Sequence, residues 1–250
     1  MEEFRYCEIL KTNICVTNMQ ETIAYLKAHL EELRGKYICV SNVHTTVIAY
    51  EDEGYREIQN KAVMALPDGA PLSKYSREHG FPDASRVTGP DLMLELFALS
   101  EEKGYRHFFY GSTQKTLDDM RVMMEQKYPK MQIAGMYSPP FRKMTPEEDA
   151  EAVKMINEAK PDFIWVGLGA PKQEIWMSEH QDRVNGVMFG VGAGFDYVAG
   201  YIKRAPMWMQ KLSMEWFYRL LQDPTRLWKR YVVTNAKFMY WMHKEKRQNK

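Results

Sequence analysis

Six short apolar runs, each stopped by turn residues, constrain this chain more than any other feature. They are Tyr37–Val40, Val63–Leu66, His107–Tyr110, Met131–Ala134, Phe163–Val166 and Val187–Val191. Near-continuous apolar runs of this length, as opposed to alternating ones, suit strands buried on both faces of a parallel sheet. The segments between them read as helices. Thr113–Lys127 follows Ser112 as its cap and carries Leu117, Met120 and Met124 on one face. Thr145-Pro146-Glu147-Glu148 combines a capping hydroxyl, a proline at the first helical position and acids at the positive end of the helix dipole. A further helix is predicted from Pro171. Strands alternating with helices predict an α/β fold with a mostly parallel sheet flanked by helices.

After Gly200 the alternation stops. Pro206–Gln222 and Pro224–Lys246 predict two successive helices, parted at Pro224. In the second, Leu227, Tyr231, Thr234, Phe238 and Trp241 recur at steps of three and four, beside a stripe of Arg226, Arg230, Lys237 and Lys244. The chain thus divides into an α/β body over residues 1–200 and a helical appendage over 201–250. Charge divides at the same place. Residues 201–250 hold 12 Lys/Arg and 3 Asp/Glu, a net of +9, and the other 200 residues hold 22 and 30, a net of −8, so the formal charge of +1 conceals a basic tail on an acidic body. Such a tail calls for an anionic partner. Its aromatic residues, among them Trp208, Trp216, Phe217, Trp228 and Tyr240, favour a membrane surface over nucleic acid, because rings and cations both find partners at an interface. No window has the length and apolarity of a transmembrane helix, and the N-terminal residues lack a signal-peptide core. The lone Cys7, Cys15 and Cys39 form no disulfide framework. The expectation is a cytoplasmic protein that docks peripherally on the membrane, with exposed apolar surface that would also suit a homo-oligomer.

In open parallel sheets ligands bind at the carboxyl ends of strands, so polar residues after the apolar runs are the candidates. Ser41-Asn42-Val43-His44-Thr45-Thr46 reads first as a strand end and helix cap. Leu66-Pro67-Asp68-Gly69 reads first as a turn, yet a carboxylate at a strand end within a cleft has the placement of a general base. Arg86 is either a surface residue or a guanidinium for a phosphate. Gly111, the cluster Gly167, Gly169 and Lys172, and the cluster Gly192, Gly194 and Asp196 all follow predicted strands. Glycines there let a ligand diphosphate approach the backbone, and the next helix N-terminus offers free N–H groups. Neither cluster meets GxGxxG, because Lys172 and Phe195 occupy the third glycine's place, which argues against a nicotinamide dehydrogenase. No Asp-x-Asp follows a strand and no Cys/His grouping has ligand spacing, so neither metal nor cofactor is expected. Backbone amides and Arg or Lys would then stabilise a leaving diphosphate.

Taken together, SNVHTTV, ALPDGAPL, RVTGPDLM, FFYGS, PDFIWVGLGAPKQEIW, GVGAGFDYVAG and IKRAPMWMQKLSMEWFYRLLQDPTR resemble the WecB/TagA/CpsF glycosyltransferases (glycosyltransferase family 26), from about Thr12 to about Tyr231. The resemblance implies a Rossmann-like α/β sandwich with a C-terminal helical appendage. It implies metal-independent, inverting transfer of N-acetylmannosamine or another hexose from a UDP-sugar to a sugar on undecaprenyl diphosphate, at the inner face of the cell membrane. Wall teichoic acid, capsule and exopolysaccharide synthesis all fit. It makes Asp68 the base, with Asn42, Arg86 and Gln173 as its companions, and Ser41, Thr45, Gly111, Gly167, Gly169, Lys172, Gly192 and Asp196 as donor or acceptor contacts. Arg204, Arg219 and Arg226 become candidates to close over the diphosphate. A non-catalytic membrane partner that activates another transferase remains the alternative.

Overall fold

The computed structural model describes residues 4–212 and 214–248. Its strands are β1 (Tyr6–Ile9), β2 (Thr12–Cys15), β3 (Tyr37–Ser41), β4 (Met64–Pro67), β5 (Arg106–Gly111), β6 (Gln132–Tyr137), β7 (Phe163–Gly167) and β8 (Val187–Gly190). Strands β3 to β8 form one parallel sheet in the order β4-β3-β8-β7-β5-β6, and β1 and β2 pair as a separate antiparallel hairpin. The six apolar runs are the six strands of that sheet. The helices are α1 (Met19–His29), α2 (Val43–Glu51), α3 (Glu53–Lys61), α4 (Ala70–Glu78), α5 (Gly89–Lys103), α6 (Gln114–Lys127), α7 (Pro146–Glu158), α8 (Lys172–Glu179), α9 (Gly194–Val198), α10 (Met207–Lys211), α11 (Glu215–Gln222) and α12 (Pro224–Gln248).

Alternate residues along each strand feed two separate cores, as the pleat requires. Phe109, Phe163, Trp165 and Phe189 pack with Leu26 of α1, Phe97 of α5, Met120 of α6 and Phe195 of α9. Phe108, Tyr110, Ile164, Val166 and Met188 point the other way, onto Ile9 and Ile14 of the hairpin, Leu72 of α4, Ile156 of α7 and Met177 of α8. The sheet is therefore covered on both sides, which is why its strands are apolar throughout.

Local chemistry fixes most helix starts. Thr145 and Glu148 form a capping box at α7. Helix α6 differs from the expectation: Thr113, not Ser112, is its cap, accepting from the Thr116 N–H. Ser112 has φ 61°, in the left-handed region, where it turns the chain out of β5, and its N–H donates to the Gly167 carbonyl. The expected single helix over Pro206–Gln222 is two, α10 and α11, and the break turns Glu215 inward, where it is buried.

Helix α12 lies along α2. Leu227 and Thr234 are buried, and Tyr231, Phe238 and Trp241 are half-buried. Lys237 pairs with Glu51 at 2.8 Å, and Trp241 donates to the same carboxylate at 3.2 Å. The basic stripe of Arg226, Arg230, Lys237 and Lys244 is exposed. Among the described residues, no helix is long and apolar enough to cross a membrane.

Candidate active site

The carboxyl ends of β3, β4, β7 and β8 open into a cavity of about 620 Å³, whose opposite wall is built by α11 and α12. This is the place that strand order dictates. The chain leaves β4 at one edge, crosses to β5, and later returns to fill the middle with β8, so crossovers diverge around these strand ends.

Asn42, Asp68, Arg86 and Gln173 all line this cavity. Asn42 follows β3 and caps α2, with Oδ1 accepting from the His44 N–H at 3.0 Å and the Thr45 N–H at 3.3 Å. Thr45 Oγ1 returns the bond by accepting from the Asn42 N–H, so the cap reading and the cavity position coexist. Asp68 follows β4, and its N–H donates to the Ser41 carbonyl at 2.8 Å. Its side chain is 26% exposed. Enclosure by the cavity walls pushes the carboxyl above the usual carboxylate range; Arg86 pulls it back and Glu215 adds to the rise.

Arg86 stands between Asp68 and the appendage. Its Nε donates to the Asp68 carbonyl, and its Nη2 lies 3.9 Å from Asp68 Oδ1. Its Nη1 donates to Glu215 Oε2 at 2.6 Å. Gln173 is buried, its Oε1 accepting from the Gly169 N–H at 3.1 Å and its Nε2 donating to Glu174 at 2.8 Å. Gly169 (φ 78°) and Gly192 (φ 52°) line the cavity in left-handed conformations that a side chain would strain.

The appendage supplies Arg204, Arg219 and Arg230, so four guanidiniums line the cavity. Arg204 pairs with Glu215 and Asp91, each at 2.6 Å. Arg219 lies over the Tyr197 ring at 5.4 Å, and its buried Nε has no partner among the described residues. His44 shares a hydrogen bond with Thr234 at 3.3 Å, and burial together with Arg230 holds its imidazole below its ordinary pKa.

Other predicted contacts lie elsewhere. Ser41 is buried behind the wall, donating to Gln59 at 2.6 Å. Gly111 and Gly167 face each other across β5 and β7; a Cβ on Gly111 would meet the Gly167 backbone at 2.7 Å, and one on Gly167 would meet the Phe195 ring at 2.7 Å. Lys172 is exposed and off the cavity. Asp196 and Arg226 line a neighbouring cavity of about 530 Å³, which shares Arg219 with the first. Glu215, Tyr197 and Asp91 received no role from sequence. Glu215 shares the segment EWFYRLLQDPTR with a second acid, Asp223, and nothing in the sequence sets it apart. Among the described residues, no three His, Cys, Asp or Glu side chains gather as metal ligands would.

The model of the glycosyl transferase WecG/TagA/CpsF family matches residues 7–250. The N-acetylglucosaminyldiphosphoundecaprenol N-acetyl-beta-D-mannosaminyltransferase of Bacillus subtilis (strain 168) is 31% identical over 236 residues, covering 94% of this chain and 90% of that protein. The enzyme of the same name from Staphylococcus aureus (strain MW2) is 31% identical over 248 residues, covering 97% and 94%. With nearly the whole chain matched, this protein belongs to the WecG/TagA/CpsF family of glycosyl transferases.

Proposed function

We propose that this chain transfers N-acetylmannosamine, or another hexose, from a UDP-sugar to N-acetylglucosamine on undecaprenyl diphosphate, with inversion at the anomeric carbon. One observation carries the reading: the Asp68 carboxylate shares a single cavity with Asn42, Gln173 and four guanidiniums. The names of the two relatives support the acceptor and the sugar.

The donor lies across the strand ends with its diphosphate toward the arginines. Asp68 takes the proton of the acceptor hydroxyl as that oxygen bonds to the anomeric carbon. The bond from that carbon to the diphosphate oxygen breaks, and its electron pair leaves with UDP. A single in-line displacement inverts the centre. Asn42 and Gln173 orient sugar or acceptor by hydrogen bonds. The guanidiniums offset the charge gathering on the leaving diphosphate, work a metal ion performs in other transferases, and on that ground we read the reaction as metal-independent.

The appendage suits a lipid-linked acceptor. Met207, Trp208, Leu212, Trp216, Leu221 and Trp228 are exposed on its helices and connecting turn. Apolar rings beside a net charge of +9 over residues 201–250 favour peripheral docking on the anionic inner face of the cell membrane.

The test is UDP release over a panel of UDP-sugars, with a short-chain diphospholipid N-acetylglucosamine acceptor and a chelator present. Release is expected to require the acceptor and to persist in the chelator; release only after divalent metal is added overturns the metal-free step. Asp68→Asn is expected to lose turnover by roughly two orders of magnitude or more, and full activity in that variant removes Asp68 from the role of base.

A further inference from the structure

Glu215 is the one acid that the appendage contributes to the cavity wall among the described residues, and it is fastened on both oxygens. Oε2 accepts from Arg86 Nη1 and Oε1 accepts from Arg204 Nη1, each at 2.6 Å. Only 9% of its side chain is exposed. Arg86 belongs to the body; its Nε donates to the Asp68 backbone carbonyl and its Nη2 stays 3.9 Å from the Asp68 carboxylate, whereas Arg204 reaches on to Asp91. The charged groups facing Asp68 are thus Arg86, Arg204, Arg219 and Glu215, with the Tyr197 hydroxyl beside them. Take away the Glu215 carboxylate, and three guanidiniums face Asp68 alone. Arg86, released from Glu215, then has the Asp68 carboxylate nearest to it, because Asp91, the other acid that acts on it, is held by Arg204. A carboxylate engaged in that way is a poor proton acceptor.

We propose that Glu215 is a positioning residue of the transfer reaction: by holding Arg86 and Arg204 on its two oxygens, it keeps Arg86 off the Asp68 carboxylate and preserves that group as the proton acceptor. The inference rests on the reading of Asp68 as base. It makes α11 a participant in the acid–base chemistry as well as a wall of the cavity. The arginines then fall into two pairs. Arg86 and Arg204 are tied to acids, whereas Arg219 and Arg230 form no salt bridge among the described residues and are left for the diphosphate.

Glu215→Gln keeps the side chain's size and removes its charge. With the UDP-release assay, kcat is expected to fall roughly 10- to 100-fold, the scale of a displaced reacting group, with the donor KM little changed. The acidic limb of the kcat/KM profile is expected to move to lower pH, because Asp68 loses a neighbouring negative charge while the guanidiniums stay. Glu215→Asp retains the charge on a stem too short to hold both arginines, and both effects should be intermediate. The proposal is overturned if the limb stays in place or if kcat is unchanged. Asp68→Asn, assayed alongside, separates the two ideas. If that variant keeps its activity, the reading of Asp68 has failed; if it is inactive while Glu215→Gln keeps the wild-type limb, only the role of Glu215 has failed. Should Glu215→Gln not fold, Glu215→Asp decides alone, and wild-type kcat in it refutes the proposal.

Discussion

At the residue scale, Asp68 is where pH acts on this molecule. Enclosure raises its carboxyl pKa against the pull of Arg86. In the proposed role of base it works only when ionised, so kcat/KM should climb with pH through a value above that of an ordinary aspartate, and a pH–rate profile reads the limb directly. The same shift has a stability sign. A carboxyl whose folded pKa exceeds its unfolded one binds more protons in the folded state, so stability is lost as pH rises through that interval. Asp68→Asn should therefore melt no lower than wild type at pH 7, and a lower Tm would mean that the carboxylate also holds the fold together. Gly167 invites the opposite expectation. Gly167→Ala places a methyl 2.7 Å from the Phe195 ring and should cost about 1–3 kcal/mol in denaturant unfolding. From sequence, Gly111 and Gly167 were indistinguishable from Gly169 and Gly192, since all four follow strands. What separates them is whether a ring or another strand lies opposite, and Phe195 arrives there only through the fold. Asn42 and Asp68 were legible because each follows a strand, and a parallel sheet brings its strand ends together, whereas Arg86, in the loop before α5, and Gln173 joined them only through the resemblance to a family.

At the scale of elements, legibility followed the range of the forces. The capping box of α7 is local and stands in the sequence; Thr145→Ala should cost about 1 kcal/mol in unfolding and leave UDP release unchanged. The break between α10 and α11 is not local. Leu212 and Met214 continue the apolar character of the segment, so nothing in the pattern interrupts it. The chain breaks where Glu215 can reach Arg86, a residue of the distant loop before α5. The seating of α12 was legible in advance, since Leu227 and Thr234 recur at helical spacing and both are buried. The partner of that stripe, α2, was not, because periodicity shows that a face is covered without showing by what.

On the scale of the whole molecule, the appendage closes one side of the cavity and carries exposed rings, Trp208 and Trp228, that are not part of its lining. Flotation with phosphatidylglycerol vesicles should carry the protein upward, and Trp208→Ser combined with Trp228→Ser should weaken that binding, as should added salt. Binding unaffected by either change would point to a different docking face. The strand order has a separate consequence, for how the molecule comes into being. Strand β8, which joins β3 to β7, is the last strand in chain order, and the helices that roof the cavity come later still. During synthesis at roughly 5–20 residues per second, the pair β4-β3 on one side and the trio β7-β5-β6 on the other must wait as two separate part-sheets until Val187 emerges from the ribosome. A nascent chain stopped before that point has no continuous sheet to fold around, so this protein is joined at its centre late in its making, and the cavity under α11 and α12 is the last part to exist.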